Sequence, residues 1–141
     1  MTTGLIQEII LTRSIHAAPA DIYGAFTTAA GWCAWCSETA EVDARVGGKL
    51  HIYTEGYHSS GEFMTLEPER LIVFTWNGDR EPPVVIEVRL AAQGDLTEVI
   101  FKVTGQGSEQ EWVNLSAFFE RIWGHVLDHL KDVMENSKPE E

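Results

Sequence analysis

Residues 84–103 read VVIEVRLAAQGDLTEVIFKV. In the first half Val84, Ile86, Val88 and Leu90 share one parity while Glu87 and Arg89 take the other; in the second, Val99, Phe101 and Val103 alternate against Glu98 and Lys102. Successive side chains of a strand point to opposite faces, so each half is a strand with one apolar face. Gln93-Gly94-Asp95 between them supplies the turn. Both apolar sets are expected to face the interior of an antiparallel sheet.

The same punctuation continues towards the N-terminus. Gly47-Gly48, Gly56 to Gly61, Glu67-Pro68-Glu69, Asn77-Gly78-Asp79 and Pro82-Pro83 read as turns. Between them lie the strand-like runs Glu41 to Lys49, Leu50 to Glu55, Glu62 to Leu66 and Leu71 to Trp76, which make an antiparallel meander. Leu71 to Trp76 is apolar on both parities, so its pattern leaves the direction of Phe74 and Trp76 open. From Leu5 to Ile15 a further strand places Ile9, Leu11 and Ile15 on one face, with Arg13 as the odd polar group there. Ala18-Pro19-Ala20-Asp21 then opens a short helix, because proline suits the first helical position and an acid suits the positive end of the dipole. A second short helix is expected over Ala29 to Trp35.

Towards the C-terminus, Leu115, Phe119, Ile122, Trp123, Val126, Leu127, Leu130, Val133 and Met134 form one broad stripe at helical spacing. Glu120, Arg121, Asp128 and Lys131 lie opposite, and Ser137 to Glu141 is a polar tail. The fold class is therefore α+β: one strand, two short helices, a meander, and a long helix laid across a curved sheet. One helix covering a sheet of this size leaves space between the two layers, and apolar clefts with few polar groups are where small molecules bind.

Composition narrows the function classes. A chain of 141 residues that is 44% hydrophobic carries enough apolar material for one domain, spanning 1–141. A formal net charge of −12 disfavours both nucleic acid and anionic membrane surfaces as partners. No run approaches the roughly twenty apolar residues of a membrane span, and the first residues lack the basic start of a secretory signal, so a cytoplasmic location is expected.

A spaced set of residues adds a resemblance. Ala18-Pro19-Ala20-Asp21, Ala25-Phe26-Thr27, Trp35, Val46-Gly47-Gly48, Gly61, Glu67-Pro68-Glu69-Arg70-Leu71, Thr75-Trp76, Thr97-Glu98-Val99 and Trp123 together resemble the activators of heat shock protein 90 ATPase, the Aha-like family. That family is a branch of the START-like, or SRPBCC, helix-grip superfamily. The resemblance covers nearly the whole chain and implies a cavity between sheet and terminal helix, with an apolar or amphipathic small molecule as its ligand. It also implies two other classes: a protein-interaction module with a chaperone or other protein as partner, and a pocket enzyme of the cyclase or hydrolase type. A separate chaperone-binding domain is not expected within these 141 residues.

Candidate site residues follow from placement. Trp35, Trp76, Phe101, Phe119 and Trp123 fall on elements expected to meet around the hollow, and Arg13 and Glu62 are the polar groups expected to orient a ligand. Each ring serves equally well as core filling. No catalytic residue is assigned, because the chain has no G-x-S-x-G, no H-E-x-x-H and no phosphate-binding glycine loop. No cofactor and no metal are expected. Cys33-Ala34-Trp35-Cys36 has redox spacing but follows a helix rather than a strand, and no further cysteine completes a zinc site, so two reduced thiols are expected. His125, His129 and Asp132 have metal-ligand spacing on one helix flank, and His51, Glu55 and His58 surround one connection; both sets read as solvated surface. Sequence leaves the oligomeric state and the ligand's identity open.

Overall fold

The structure, a computed structural model, describes residues 5–35, 38–54, 57–76, 84–107 and 109–136, with side chains described at 8–35, 38–53, 58–76, 84–105 and 120–135. The elements run β1 (Leu5–Ile15), α1 (Pro19–Thr27), α2 (Ala29–Trp35), β2 (Thr39–Val42), β3 (Lys49–Thr54), β4 (Tyr57–Glu67), β5 (Leu71–Trp76), β6 (Val84–Gln93), β7 (Leu96–Gly107) and α3 (Glu109–Asn136). The seven strands form one curved sheet in the order β1-β7-β6-β5-β4-β3-β2, every pair antiparallel. The chain thus meanders from β2 to β7 and closes the meander with its first strand.

The alternation in residues 84–103 becomes register. Ile9 pairs with Val103, Val103 with Ile86, Ile86 with Phe74, and Phe74 with Phe63, so one row of buried side chains crosses five strands. Register is well specified here, since a slip of one residue would turn the whole row to solvent. The structure also settles β5: Ile72, Phe74 and Trp76 are buried.

Three features differ from the sequence expectation, two boundaries and one buried position. The strand expected over Glu41 to Lys49 ends at Val42, because the chain turns early: Arg45 N–H donates to Asp43 O and Gly48 N–H to Arg45 O. The turn expected over Gly56 to Gly61 is mostly strand, and β4 already runs from Tyr57. Gly61 is there for close approach, since a Cβ on it would fall 1.8 Å from Thr75 O on β5. Ile122, expected in the apolar stripe of α3, is 41% exposed, whereas Trp123, Leu127 and Leu130 are buried and Val126, Val133 and Met134 pack partly against the core.

Helix α1 packs on β5 and β6, and α3 packs against β1 and α2. Among the described residues, no helix is long and apolar enough to cross a membrane.

Candidate functional site

The two short helices are joined almost without a loop. The Thr28 hydroxyl accepts the Gly31 N–H at 2.8 Å, a cap for α2, and donates to Gly24 O at 2.9 Å in the last turn of α1. A Cβ on Gly31 would lie 2.3 Å from Gly24 O, so only glycine lets α2 start this close. The consequence is that Trp32 and Trp35, three apart on one face of α2, are folded back onto the end of α1. Their indole N–H groups donate to Phe26 O and Ala25 O, each at 2.9 Å. Those carbonyls belong to the last turn of α1, where no intrahelical donor remains for them.

From this anchor a run of rings crosses the space between the layers. Phe26 meets Trp32 and Trp35 edge-on at centroid separations of 5.6 and 5.0 Å, and the two indoles stack on each other at 5.0 Å. Trp32 stacks on Trp76 of β5 at 5.9 Å with planes 18° apart. Trp76 meets Trp123 of α3 edge-on at 5.4 Å, and Trp123 tilts over Phe101 of β7 at 4.9 Å. Phe74 and Phe63 extend the set along the sheet. Contacts of this kind contribute about 0.5–1.5 kcal/mol each beyond area burial.

The structure therefore brings together four of the expected site residues: Trp35, Trp76, Phe101 and Trp123. Phe119 lies on α3, but its side chain is outside the described residues. Trp32, which sequence reading passed over, is fully buried at the centre of the run. The signal for it was its spacing of three from Trp35 on a short helix, which puts both rings on one face.

The two expected polar groups go elsewhere. Arg13 has the inward parity, but its guanidinium is engaged: Nε donates to Asp128 Oδ1 at 2.6 Å, Nη2 to Gly124 O at 3.2 Å and Nη1 to Thr12 O at 2.8 Å. It fastens α3 to β1. Glu62 lies on the opposite face of β4 from the buried Phe63 and pairs with Lys49 Nζ at 2.9 Å, because an antiparallel register sets it opposite that lysine. Among the described residues, the buried threonines are satisfied internally, Thr27 donating to Tyr23 O and Thr97 to Ala17 O. Burial pushes the Tyr23 phenol above its ordinary value, so it stays protonated near neutral pH.

The sequence that builds this arrangement matches a known family. The family model described as activator of Hsp90 ATPase homolog 1-like protein matches residues 16–135. The chain belongs to this Aha1-like family. Solved structures agree in fold. The Aha1 dimer from Colwellia psychrerythraea superposes with a TM-score of 0.81 at 23% identity, covering 94% of this chain and 99% of that one. Protein MLL2253 from Mesorhizobium loti gives 0.82 at 15% identity over 94% and 100%, and CalU16 from Micromonospora echinospora 0.73 at 22% over 97% and 88%. At the sequence level the chain matches none of the curated proteins.

The remaining motifs take up surface positions in this Aha1-like chain. Cys33 is exposed near the end of α2 with Sγ 3.6 Å from Glu38 O, and Cys36 lies outside the described residues. His129 Nδ1 donates to Trp35 O at 3.0 Å, a second tie between α3 and α2, while His125 is exposed. His51 Nδ1 and His58 Nε2 are 3.1 Å apart, side by side with planes 12° apart, and Tyr53 stacks on His58 at 4.6 Å. They sit on the outer face of the β3–β4 pair, and Glu55 is outside the described residues. Among the described residues, no group of three potential ligands is placed to hold a metal ion.

Proposed function

We propose that this Aha1-like chain binds a small, largely apolar molecule between its sheet and α3. The observation that carries this reading is the run of rings from Phe101 through Trp123 and Trp76 to Trp32, drawn from two strands and two helices. Rings contributed by separate elements and meeting in one layer make an apolar wall, the kind of lining that small-molecule sites use. The helix-grip fold supports the same reading, since a sheet gripping one long helix commonly serves ligand binding; the fold alone does not name the ligand. Arg13 and Glu62 are assigned structural ion pairs rather than ligand contacts, and Trp76, Phe101 and Trp123 the wall, with Trp35 bracing Trp32 behind it.

Titration with a neutral environment-sensitive dye such as Nile red, together with native mass spectrometry of freshly purified protein, tests this. Saturable binding of one dye per chain, displaced by other apolar molecules, is expected. A folded protein that neither binds the dye nor carries a retained molecule would overturn the reading.

The solved Aha1 dimer of Colwellia psychrerythraea favours a second reading, in which this chain also acts by association with itself or with another protein. Light scattering across a concentration series tests it: a monomer at every concentration removes self-association.

A further inference from the structure

The last two strands of the sheet, β3 and β2, join the rest through one crossing. Strand β4 pairs with β3 through residues 57–62 and with β5 through residues 63–67, and its register shifts between Phe63 and Thr65. Strands β2, β3 and the first half of β4 thus form a flap that is continuous with the main sheet at Phe63. At that junction the flap is bonded firmly. Gly47 N–H donates to Phe63 O at 2.8 Å, Phe63 N–H to Gly48 O at 2.9 Å, and Lys49 Nζ to Glu62 Oε1 at 2.9 Å.

The far end of the flap carries a different clasp on its outer face. His51 stands opposite Ser60 and His58 opposite Tyr53, so the two histidines are diagonal neighbours across β3 and β4. His51 Nδ1 and His58 Nε2 are 3.1 Å apart, with ring planes 12° apart and centroids separated by 5.3 Å. That centroid separation is close to the nitrogen separation plus the two ring radii, so the nitrogens point at each other in one plane. Tyr53 stacks on His58 at 4.6 Å and steadies its ring. A hydrogen bond between two imidazoles needs one facing nitrogen with its proton and one without.

We infer that His51 and His58 form an acid-released clasp, which closes the free end of the flap while the pair holds at most one extra proton and opens when both rings are charged. With one added proton the bond is charge-assisted and stronger. With two, both facing nitrogens carry protons, so the bond is lost and two cations meet. Among the described residues, the charged and titratable groups on the same face are Glu41 of β2 opposite His51, Tyr53, and the Lys49–Glu62 pair. Glu41 is a countercharge for the first added proton; the second has none, because Glu62 is bonded to Lys49. Histidine changes charge between about pH 5 and 8, a range over which carboxylates and ammonium groups ordinarily keep theirs. The junction end therefore stays closed while the histidine end lets go. The open flap binds more protons than the closed one, so closure weakens as pH falls. Ile52, buried on the opposite face of β3, is the core residue that release uncovers. The clasp is independent of any ligand between the sheet and α3.

The test begins on the wild-type chain with nitrogen-labelled histidine. A scalar coupling between His51 Nδ1 and His58 Nε2, transmitted through the hydrogen bond, should be present at about pH 8 and absent at about pH 5. Amide protection, corrected for the intrinsic pH dependence of exchange, should fall about tenfold between those values at Ile52, Tyr53 and Ser59, the worth of one hydrogen bond. It should stay unchanged at Phe63. His58→Gln keeps a donor and an acceptor but takes up no proton, so its protection should be equal at both values. No coupling in the wild-type chain at the higher pH, or a coupling that survives at the lower, overturns the clasp whether or not the variant folds. Wild-type protection that does not fall in acid, or an equal fall in His58→Gln, overturns it as well.

Discussion

Arg13 Nε on β1 lies 2.6 Å from Asp128 Oδ1 on α3, and the same guanidinium reaches Gly124 O one turn earlier in that helix. One side chain thus spans two carbonyl or carboxylate acceptors on α3 and holds the helix against the edge of the sheet. Nearby, Lys131 Nζ donates to Ser14 O at 2.9 Å and to Glu135 Oε2, which also accepts the His16 N–H at 2.9 Å. The end of β1 and the last turns of α3 are therefore joined by charged hydrogen bonds, whereas the middle of α3 is joined to the sheet by Trp123, Leu127 and Leu130.

Asp128 is 65% exposed, so water screens the pair. A double-mutant cycle between Arg13→Ala and Asp128→Asn should give a coupling of only about 0.2–1 kcal/mol. Arg13→Ala alone should cost more than Asp128→Asn alone, about 1–2 kcal/mol, because it also removes the bonds to Gly124 O and Thr12 O. Urea denaturation of the three variants checks both statements; equal losses from the two single variants would show that Gly124 O contributes nothing.

The link formed by Glu135 should be sensitive to acid. Its hydrogen bond from Lys131, followed by that from the His16 N–H, lowers the carboxyl below its ordinary value of 4.5. A carboxylate with a depressed folded-state value adds stability that is fully present above the unfolded value and is lost as pH falls through the folded one. The stability difference between wild type and Glu135→Gln should thus be constant above about pH 5 and shrink below 4.5. Thermal melts from pH 3 to 7 measure it, and a difference that grows in acid would reverse the assignment.

Trp32 is fully buried and touches Phe26, Trp35, Phe74 and Trp76. Trp32→Ala should cost about 3–5 kcal/mol from lost transfer energy and the cavity left behind. It also leaves Phe26 O without its donor. Glu62→Ala, on the outer face, should cost less than about 1 kcal/mol despite its sequence position beside Phe63. Chemical denaturation of both variants decides the order; a larger loss at Glu62 would contradict the register of β3 and β4.

At Gly61 the limit is contact rather than cavity. A methyl group there would meet Thr75 O at 1.8 Å, a backbone atom that cannot turn aside. Gly61→Ala should therefore separate β4 from β5 locally and cost about 3 kcal/mol. Amide exchange should show faster exchange confined to the Phe63–Trp76 side of the sheet, and an alanine variant with wild-type stability would contradict the close approach of these two strands.

Much of the fold is legible in the chain because it depends on local period. Val84 to Leu90 and Val99 to Val103 alternate, and a period of two can bury only one face of a strand. Trp123, Leu127 and Leu130 recur at helical spacing, which likewise leaves one side to bury. Where period fell silent, in the doubly apolar run Leu71 to Trp76, the structure had to choose, and pairing with β6 sent Phe74 and Trp76 inward.

The candidate site was legible only as a list of rings. Which rings touch depends on tertiary structure: Trp32 reaches Trp76 because Gly31 lets α2 fold back on α1, and Trp123 of α3 touches both Trp76 of β5 and Phe101 of β7. Arg13 had the parity of a ligand contact, yet its partner lies 115 residues away, and no local pattern carries information across that distance. The chain by itself determined the order and type of most elements, the buried faces of its periodic segments and its net negative charge, since these follow from neighbouring side chains and composition. Tertiary structure alone decided which of the described polar groups meet a partner within the chain, because a hydrogen bond needs its partner within about 3 Å, and only the folded chain sets that distance.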